Sequence, residues 1–296
     1  MRVSVVIPAF NAENTIERQL LALKSQRFNE SYEVIVINNR STDRTVEVVS
    51  AFARDFPELV LAHESERQGV NAARNKGLQV SKGDFVLLCD ADDVVSHDWM
   101  REMLISLEYA DLVGGPALAV MEKSSQTIEM ANESITTEPS VHGYLHYAVG
   151  CNMGMRREVL RTIGGFDESF VGGHDEVDFC WRAQQNGFVL TWNKNARVTY
   201  YQRSESKALF KQHSRYAATS VQLWERHHER GTLNPISFSG SVRNLMRTSL
   251  RFPQLIKSAS RRDFLRQEGW TWGIVQGHLK YRKLGQIPLP QIPKIE

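Results

Sequence analysis

Apolar runs at residues 3–7, 34–37, 59–62 and 85–88 alternate with stretches of helical periodicity near residues 12–26, 43–55 and 70–80. Nothing else in the chain restricts its fold as strongly. The runs are unbroken, as in strands buried on both faces, and strands that alternate with helices build βαβ units and a parallel sheet. Polar residues mark the helix starts: Asn11 or Asn14 can cap the first helix, Ser41-Thr42-Asp43 the second, and Ser96 a further helix over residues 97–109. An α/β fold with a mostly parallel, Rossmann-like sheet is expected.

After Ala110 the rhythm changes. Short apolar pieces at 112–113, 117–121 and 151–155 fit mixed or antiparallel strands, and the Ser-, Thr- and Glu-rich residues 122–140 fit a loop. A helix is expected over 175–186, closed by Gly187, and then a strand pair at 188–192 and 197–201. Beyond Ser204 the pattern is helical, with breaks at 231–235 and at Phe252-Pro253 and a proline-spaced tail from Ile287. Three parts are expected: 1–110, 111–201 and a helical extension, 202–296.

The length of 296 residues with 42% hydrophobic side chains allows a sizeable core, and a net charge of +2 gives no global argument for a nucleic-acid partner. Cys89, Cys151 and Cys180 lie far apart among apolar neighbours, which fits reduced thiols better than a disulfide framework. No leader pattern precedes Val3, and no stretch approaches the roughly 18 apolar residues of a membrane span. The expected location is cytoplasmic.

The fourth apolar run drives straight into Asp90-Ala91-Asp92-Asp93. Ligands of open α/β sheets collect at the carboxyl ends of strands, and hard cations such as Mg²⁺ or Mn²⁺ take carboxylates together with substrate phosphates. A surface turn is the plainer alternative, since Asp often bonds its own backbone there.

Several segments stand in an order that gives these acids a context. They are Val5-Val6-Ile7-Pro8-Ala9-Phe10-Asn11, Ser41-Thr42-Asp43-Arg44-Thr45, Gly69 with Ala73-Arg74-Asn75-Lys76-Gly77, and Gly83-Asp84 leading to Asp90-Ala91-Asp92-Asp93. Gly164-Gly165-Phe166-Asp167-Glu168 and Asp175-Glu176-Val177-Asp178-Phe179-Cys180-Trp181-Arg182 follow. Over about residues 2–201 the chain resembles the family 2 glycosyltransferases, inverting enzymes of GT-A fold that use nucleotide sugars. The resemblance implies a Rossmann-like, mostly parallel sheet with flanking helices and a helical C-terminal extension. It makes 1–110 the nucleotide-sugar-binding half and 111–201 the acceptor-binding and catalytic half.

In site terms the resemblance implies a donor pocket of Pro8, Ala9, Phe10, Asn11, Asn39, Arg74, Asp90, Ala91 and Asp92. Asp92 is then the main ligand of Mn²⁺ or Mg²⁺ with Asp90 beside it, and Asp93 either binds metal or caps a turn. Arg67 and Arg74 are candidates for the diphosphate, since guanidinium matches phosphate bidentately. Glu176 takes the place of the base that deprotonates the acceptor hydroxyl, and Asp175 is the alternative. Gly165, Phe166 and Asp167 are candidates for acceptor contact. Asp178 and Arg182, four apart, suit a structural salt bridge, and His174 a surface position.

Three departures from the family pattern stand out. Asn38-Asn39-Arg40 replaces Asp-Asp-Gly, so the aspartate that accepts from uracil is here an amide; uridine diphosphate remains the expected nucleotide, with Asn39→Asp expected to strengthen its binding. Asp175-Glu176 reverses the usual Glu-Asp. Val198-Thr199-Tyr200-Tyr201-Gln202 lacks a histidine that relatives carry there, leaving Tyr201 or His213 to compensate. The expected activity is sugar transfer to a hydroxyl of a glycan, lipid-linked or small-molecule acceptor; a nucleotidyltransferase or a catalytically decayed binding protein is the alternative. Residues 241–283, basic and interleaved with apolar side chains, are a candidate for peripheral contact with the inner face of a membrane.

Overall fold

A computed structural model describes residues 2–124, 127–130, 140–201, 206–232, 237–250 and 258–296. Their contacts form two compact units, one of Met1–Glu168, Glu176–Gln202 and Gln291–Glu296, the other of Ser169–Asp175 and Arg203–Pro290.

The first unit begins with β1 (Val3–Ala9), α1 (Ile16–Lys24), β2 (Tyr32–Asn38), α2 (Thr45–Phe52), β3 (Leu59–His63), α3 (Val70–Val80), β4 (Phe85–Cys89), β5 (Val94–Val95) and α4 (Trp99–Leu107). It continues with β6 (Leu112–Gly114), β7 (Ala117–Ser124), β8 (Thr127–Met130), β9 (Ser140–Val141), β10 (His146–Tyr147), β11 (Asn152–Arg156), α5 (Arg157–Ile163), α6 (Asp175–Gln185, whose first residue belongs to the second unit), β12 (Leu190–Trp192) and β13 (Val198–Tyr201). The main sheet runs β12-β6-β11-β4-β1-β2-β3. β4, β1, β2 and β3 are mutually parallel, as the unbroken apolar runs require, and β11 is antiparallel to both β4 and β6.

Both faces of this sheet are covered. Val5, Ile7, Val34, Val36, Leu87 and Cys89 pack with Ile16, Leu20, Leu23, Trp99 and Met103 on one side. Val6, Ile35, Ile37, Val86 and Leu88 pack with Ala73, Leu78, Leu160, Phe166 and Phe179 on the other. Each large apolar side chain buried this way contributes about 1.5–3 kcal/mol.

Three local expectations are corrected. Neither Asn11 nor Asn14 caps α1, whose N-cap is Thr15, and α4 starts after Asp98 rather than at Ser96. Residues 122–130 are not all loop, because β7 runs on to Ser124 and pairs antiparallel with β8, whose Thr127-Ile128-Glu129-Met130 alternates. The segments near 188–192 and 197–201 form strands that do not pair with each other: β12 joins β6 in the main sheet, whereas β13 lies between β5 and β7 in a second sheet.

Asn152 ties these parts together. Its buried amide accepts from Trp99 Nε1 at 2.8 Å and donates to the carbonyls of Pro116 and Ala196 at 3.0 and 2.8 Å. The chain end also closes on this unit: Gly165 N–H donates to Pro293 O, Glu168 N–H to Gln291 O, and Gln291 N–H to Asp167 Oδ1, with Ile295 buried in the core.

In the second unit α7 (Ser206–His227) packs along α9 (Ser258–Gly277), with Ala217, Val221, Ile274 and Tyr281 as a small core, and α8 (Phe238–Ser249) lies against α9. A Cβ on Gly273 would lie 2.1 Å from Ser214 O, so only glycine allows the α7–α9 approach. The connection before α6 turns through positive φ at Gly172 and Gly173 (120° and 128°), which glycine adopts freely, and at His174 (69°), where a side chain makes the conformation costly. His174 is buried rather than at the surface, its Nδ1 bonded to Thr219 Oγ1 at 3.0 Å. No helix among the described residues is long and apolar enough to cross a membrane.

Candidate active site

The carboxyl end of β4 releases Asp90, Asp92 and Asp93 beside the start of β11, because the antiparallel register sets Asn152 opposite Cys89. Asp90, Asp93 and Cys151 thereby bring one donor atom each within 4.8 Å of one another. The Asp93 carboxyl is pushed up to about 9, first by burial and then by Asp90 and Asp92, against one weak backbone bond from Tyr201 N–H at 3.3 Å. Its second oxygen, Oδ2, is buried and has no hydrogen-bond partner among the described residues. A buried acceptor left unmatched is costly, and a cation would supply what it lacks. The two carboxylates therefore fit a hard divalent metal, for which the neighbouring Cys151 thiol, kept protonated by burial, is a poor ligand.

Cys151 reports the surrounding field. Burial pushes its thiol well above the ordinary range, and Asp93, Asp90 and Glu176 push the same way against Arg74. Asp90, Arg74 and Glu176, widely separated in sequence, are thus brought together around one buried sulfur. Arg74 itself is nearly buried, at 6% side-chain exposure, and lies 3.3 Å from Asp90. Its guanidinium fills the space where a Cβ on Gly150 would stand, 2.6 Å from Nη2. Gly150→Ala is therefore expected to displace Arg74 and weaken nucleoside diphosphate binding about tenfold or more, as loss of a charged hydrogen bond would. Calorimetry checks this, and unchanged affinity would contradict it.

The other expected donor residues line the ends of β1 and β2. Pro8 and Ala9 finish β1, with Ala9 O accepting from Asn39 N–H at 2.8 Å. Phe10 is 52% exposed, so its ring is free of the core and open to a ligand. Asn11, at φ 51°, donates its N–H to Ser41 Oγ and accepts from Thr42 N–H at 2.8 Å, which locks the turn after β1 to the turn after β2. Ala91 is buried, and the Asp92 carbonyl accepts from Arg18 Nη2 at 2.7 Å. Asp92, the main ligand implied by the resemblance, is not part of the three-donor group.

Asn39 has a different task from the one expected. Its Nδ2 donates to Glu64 O and Arg67 O at 3.1 and 2.7 Å, while its Oδ1 accepts from Gly69 N–H at 2.8 Å. The buried amide is committed to holding residues 64–69, and Glu64 Oε1 reinforces the loop by accepting from the N–H groups of Glu66 and Arg67. An aspartate there would offer no donor and would face two carbonyls. Asn39→Asp is expected to destabilise the protein by about 1–3 kcal/mol for each buried group left unmatched. A thermal melt with no loss would contradict that, and strengthened uridine binding by this variant is no longer expected.

Arg67, a candidate for the diphosphate, is instead paired with Glu168 at 2.7 Å. The residues expected to touch the acceptor lie inside the protein. Gly165, Phe166 and Asp167 are all buried: Phe166 stacks on Phe179 with centroids 4.6 Å apart, and Asp167 Oδ1 accepts from Gln291 N–H. The Asp178–Arg182 pair forms at 2.7 Å, and Arg182 also donates to the carbonyls of Ile163 and Gly165. Asp175 and Glu176 open α6, Asp175 buried and Glu176 partly exposed. Tyr201 meets Asp93 through its N–H, and the Arg18 guanidinium lies 3.6 Å from its ring centre. His213 belongs to the second unit, edge-on to Tyr216.

The profile of glycosyl transferase family 2 matches residues 4–164, more than half of the chain. The chain belongs to glycosyl transferase family 2. A related profile, glycosyl transferase family group 2, matches residues 85–284. The family 2 chain is similar to glycosyltransferase AglE of Haloferax volcanii, 30% identical over 75% of this chain and 74% of the relative. It is also similar to a dolichyl N-acetyl-alpha-D-glucosaminyl phosphate 3-beta-D-2,3-diacetamido-2,3-dideoxy-beta-D-glucuronosyltransferase of Methanococcus voltae, 25% identical over 73% of this chain and 72% of the relative. Of several other curated relatives it spans only 25% to 51% of the length. Among solved structures, mannosyltransferase PcManGT from Pyrobaculum calidifontis, in complex with GDP-Man and Mn²⁺, superposes with a TM-score of 0.66 at 18% identity, covering 93% of this chain and 86% of that one. The fold of this family 2 member is that of the GT-A glycosyltransferases.

Cys151 and Gly150 are the site residues that sequence reasoning missed. A lone cysteine carries no pattern, and only the β4–β11 register reveals its neighbours.

Proposed function

We propose that this glycosyltransferase is inverting and metal-dependent, taking a sugar from a nucleoside diphosphate, with uridine as the expected base, and delivering it to a hydroxyl of a lipid-linked glycan. The observation that carries the proposal is the convergence of Asp90, Asp93, Arg74 and Glu176 on the surroundings of Cys151. One nucleotide-sugar site and one acceptor base need such neighbours. Phe10 offers a face for the base to stack on, and Arg74, held in place by Asp90 and Gly150, offers a guanidinium to the diphosphate. Asp90 and Asp92, with Asp93 beside them, would hold Mn²⁺ or Mg²⁺, which would supply neutralisation of the leaving diphosphate.

Glu176 accepts the proton of the attacking hydroxyl, which approaches from the side opposite the diphosphate and so inverts the anomeric carbon. Asp175 beside it is the alternative base. The lipid-linked acceptor is supported by the Methanococcus relative, whose name specifies a dolichyl phosphate sugar. Such an acceptor is met at a membrane surface.

The test is a transfer assay with UDP- and GDP-sugars and a short-chain polyprenyl phosphate sugar, with Mn²⁺ present. The expected outcome is release of the nucleoside diphosphate together with a product of inverted anomeric configuration by NMR. A product that retains configuration, or no transfer from any nucleotide sugar, would contradict the proposal.

A further inference from the structure

Residues 203–290 hold sixteen Lys and Arg against five Asp and Glu, although the whole chain carries only +2, so the remainder is net negative. Positive charge is therefore concentrated in the helical extension. Within it, α8 half-buries Phe238, Val242 and Leu245, yet leaves two further large apolar side chains in solvent. The inward side carries the buried hydroxyls Ser241 and Thr248, the latter 3.3 Å from Thr271 Oγ1 of α9. Arg243, Met246, Arg247 and Leu250 share the outward side at spacings of three and four residues, and Met246 and Leu250 are 64% and 82% exposed. A helix that only packed on a soluble core would turn its apolar residues inward. Among the described residues, no carboxylate pairs with Arg243 or Arg247.

We propose that the outward face of α8 is a docking surface for an anionic lipid bilayer. Arginine beside methionine and leucine suits an interface where phosphate headgroups meet hydrocarbon: the guanidinium groups stay with the phosphates while the apolar pair enters the acyl boundary. A nucleic acid would match the charge and leave Met246 and Leu250 in water. The proposal deepens the lipid-linked acceptor assignment and rests on it for its purpose, but the surface itself is defined by exposure and charge alone.

Co-sedimentation of the full chain with vesicles tests it, without donor or acceptor, so failure to bind vesicles and failure to transfer sugar are separate results. The protein is expected to bind vesicles containing phosphatidylglycerol, to ignore vesicles of phosphatidylcholine alone, and to dissociate in high salt. Arg243→Gln and Arg247→Gln should each lower the binding constant about fivefold, the value of one basic residue near an anionic surface. Met246→Ser with Leu250→Ser should lower it as well, with an unchanged thermal melt confirming the fold. Equal binding to neutral and anionic vesicles, no binding at all, or no effect of either pair would overturn the proposal. So would a serine pair that changes the oligomeric mass and leaves vesicle binding intact, since the face would then serve a second copy of the chain.

Discussion

Glu176→Gln is expected to reduce the rate of sugar transfer about 10²- to 10⁴-fold, the usual contribution of a positioned base, while nucleoside diphosphate affinity stays near its original value. The amide keeps the shape of the side chain and loses the ability to take a proton. Because the hydroxyl rather than the nucleotide meets this group, the defect should appear in turnover and spare donor binding. Asp175 is the internal control, being adjacent and also acidic, but buried where Glu176 is partly exposed. Single-turnover kinetics of Glu176→Gln and Asp175→Asn, with calorimetry on each, separates them. If Asp175→Asn loses transfer and Glu176→Gln keeps it, the base is the neighbouring residue.

Removal of the metal should have a comparable effect. With excess chelator, transfer and donor hydrolysis are expected to fall to background and to return with Mn²⁺ or Mg²⁺. Asp90, Asp92 and Asp93 repel one another at close range, and Asp93 Oδ2 has no partner among the described residues, so a cation would offset the repulsion and match that oxygen. Asp92→Asn should remove most activity and preserve the melt. Undiminished turnover in chelator would exclude a metal from the reaction.

The parallel core was legible because its physics is local: strands covered on both faces are mainly apolar, and β4 is so throughout, while the buried Ser4 of β1 and Glu33 of β2 bond each other at 2.6 Å. The acid cluster was legible for the same reason, lying at the end of such a strand. Asn39 was not, since its motif position suggested ligand contact, while its two donors and its acceptor are matched by backbone groups 25 to 30 residues away. The burial of Phe166 and Asp167 was equally hidden: nothing in Gly-Gly-Phe-Asp discloses that residues 291–296 return to pack beside it. Cys151 needed the antiparallel register of β11, a long-range pairing that no spacing in the sequence encodes. The strands at 190–192 and 198–201 were found, but the sheet each joins depends on partners more than 70 residues earlier.

A nucleotide-sugar site at the carboxyl ends of β1 and β4 underlies every activity proposed for this chain. Calorimetric titration with uridine, guanosine and adenosine diphosphates, each with and without Mn²⁺, measures that site alone. Uridine diphosphate is expected to bind most tightly and Mn²⁺ to strengthen the binding, with Arg74→Ala weakening it by about tenfold or more, as for loss of a charged hydrogen bond. Tight guanosine diphosphate binding with none for uridine would reverse the donor assignment, and failure of every nucleoside diphosphate to bind would contradict the site itself.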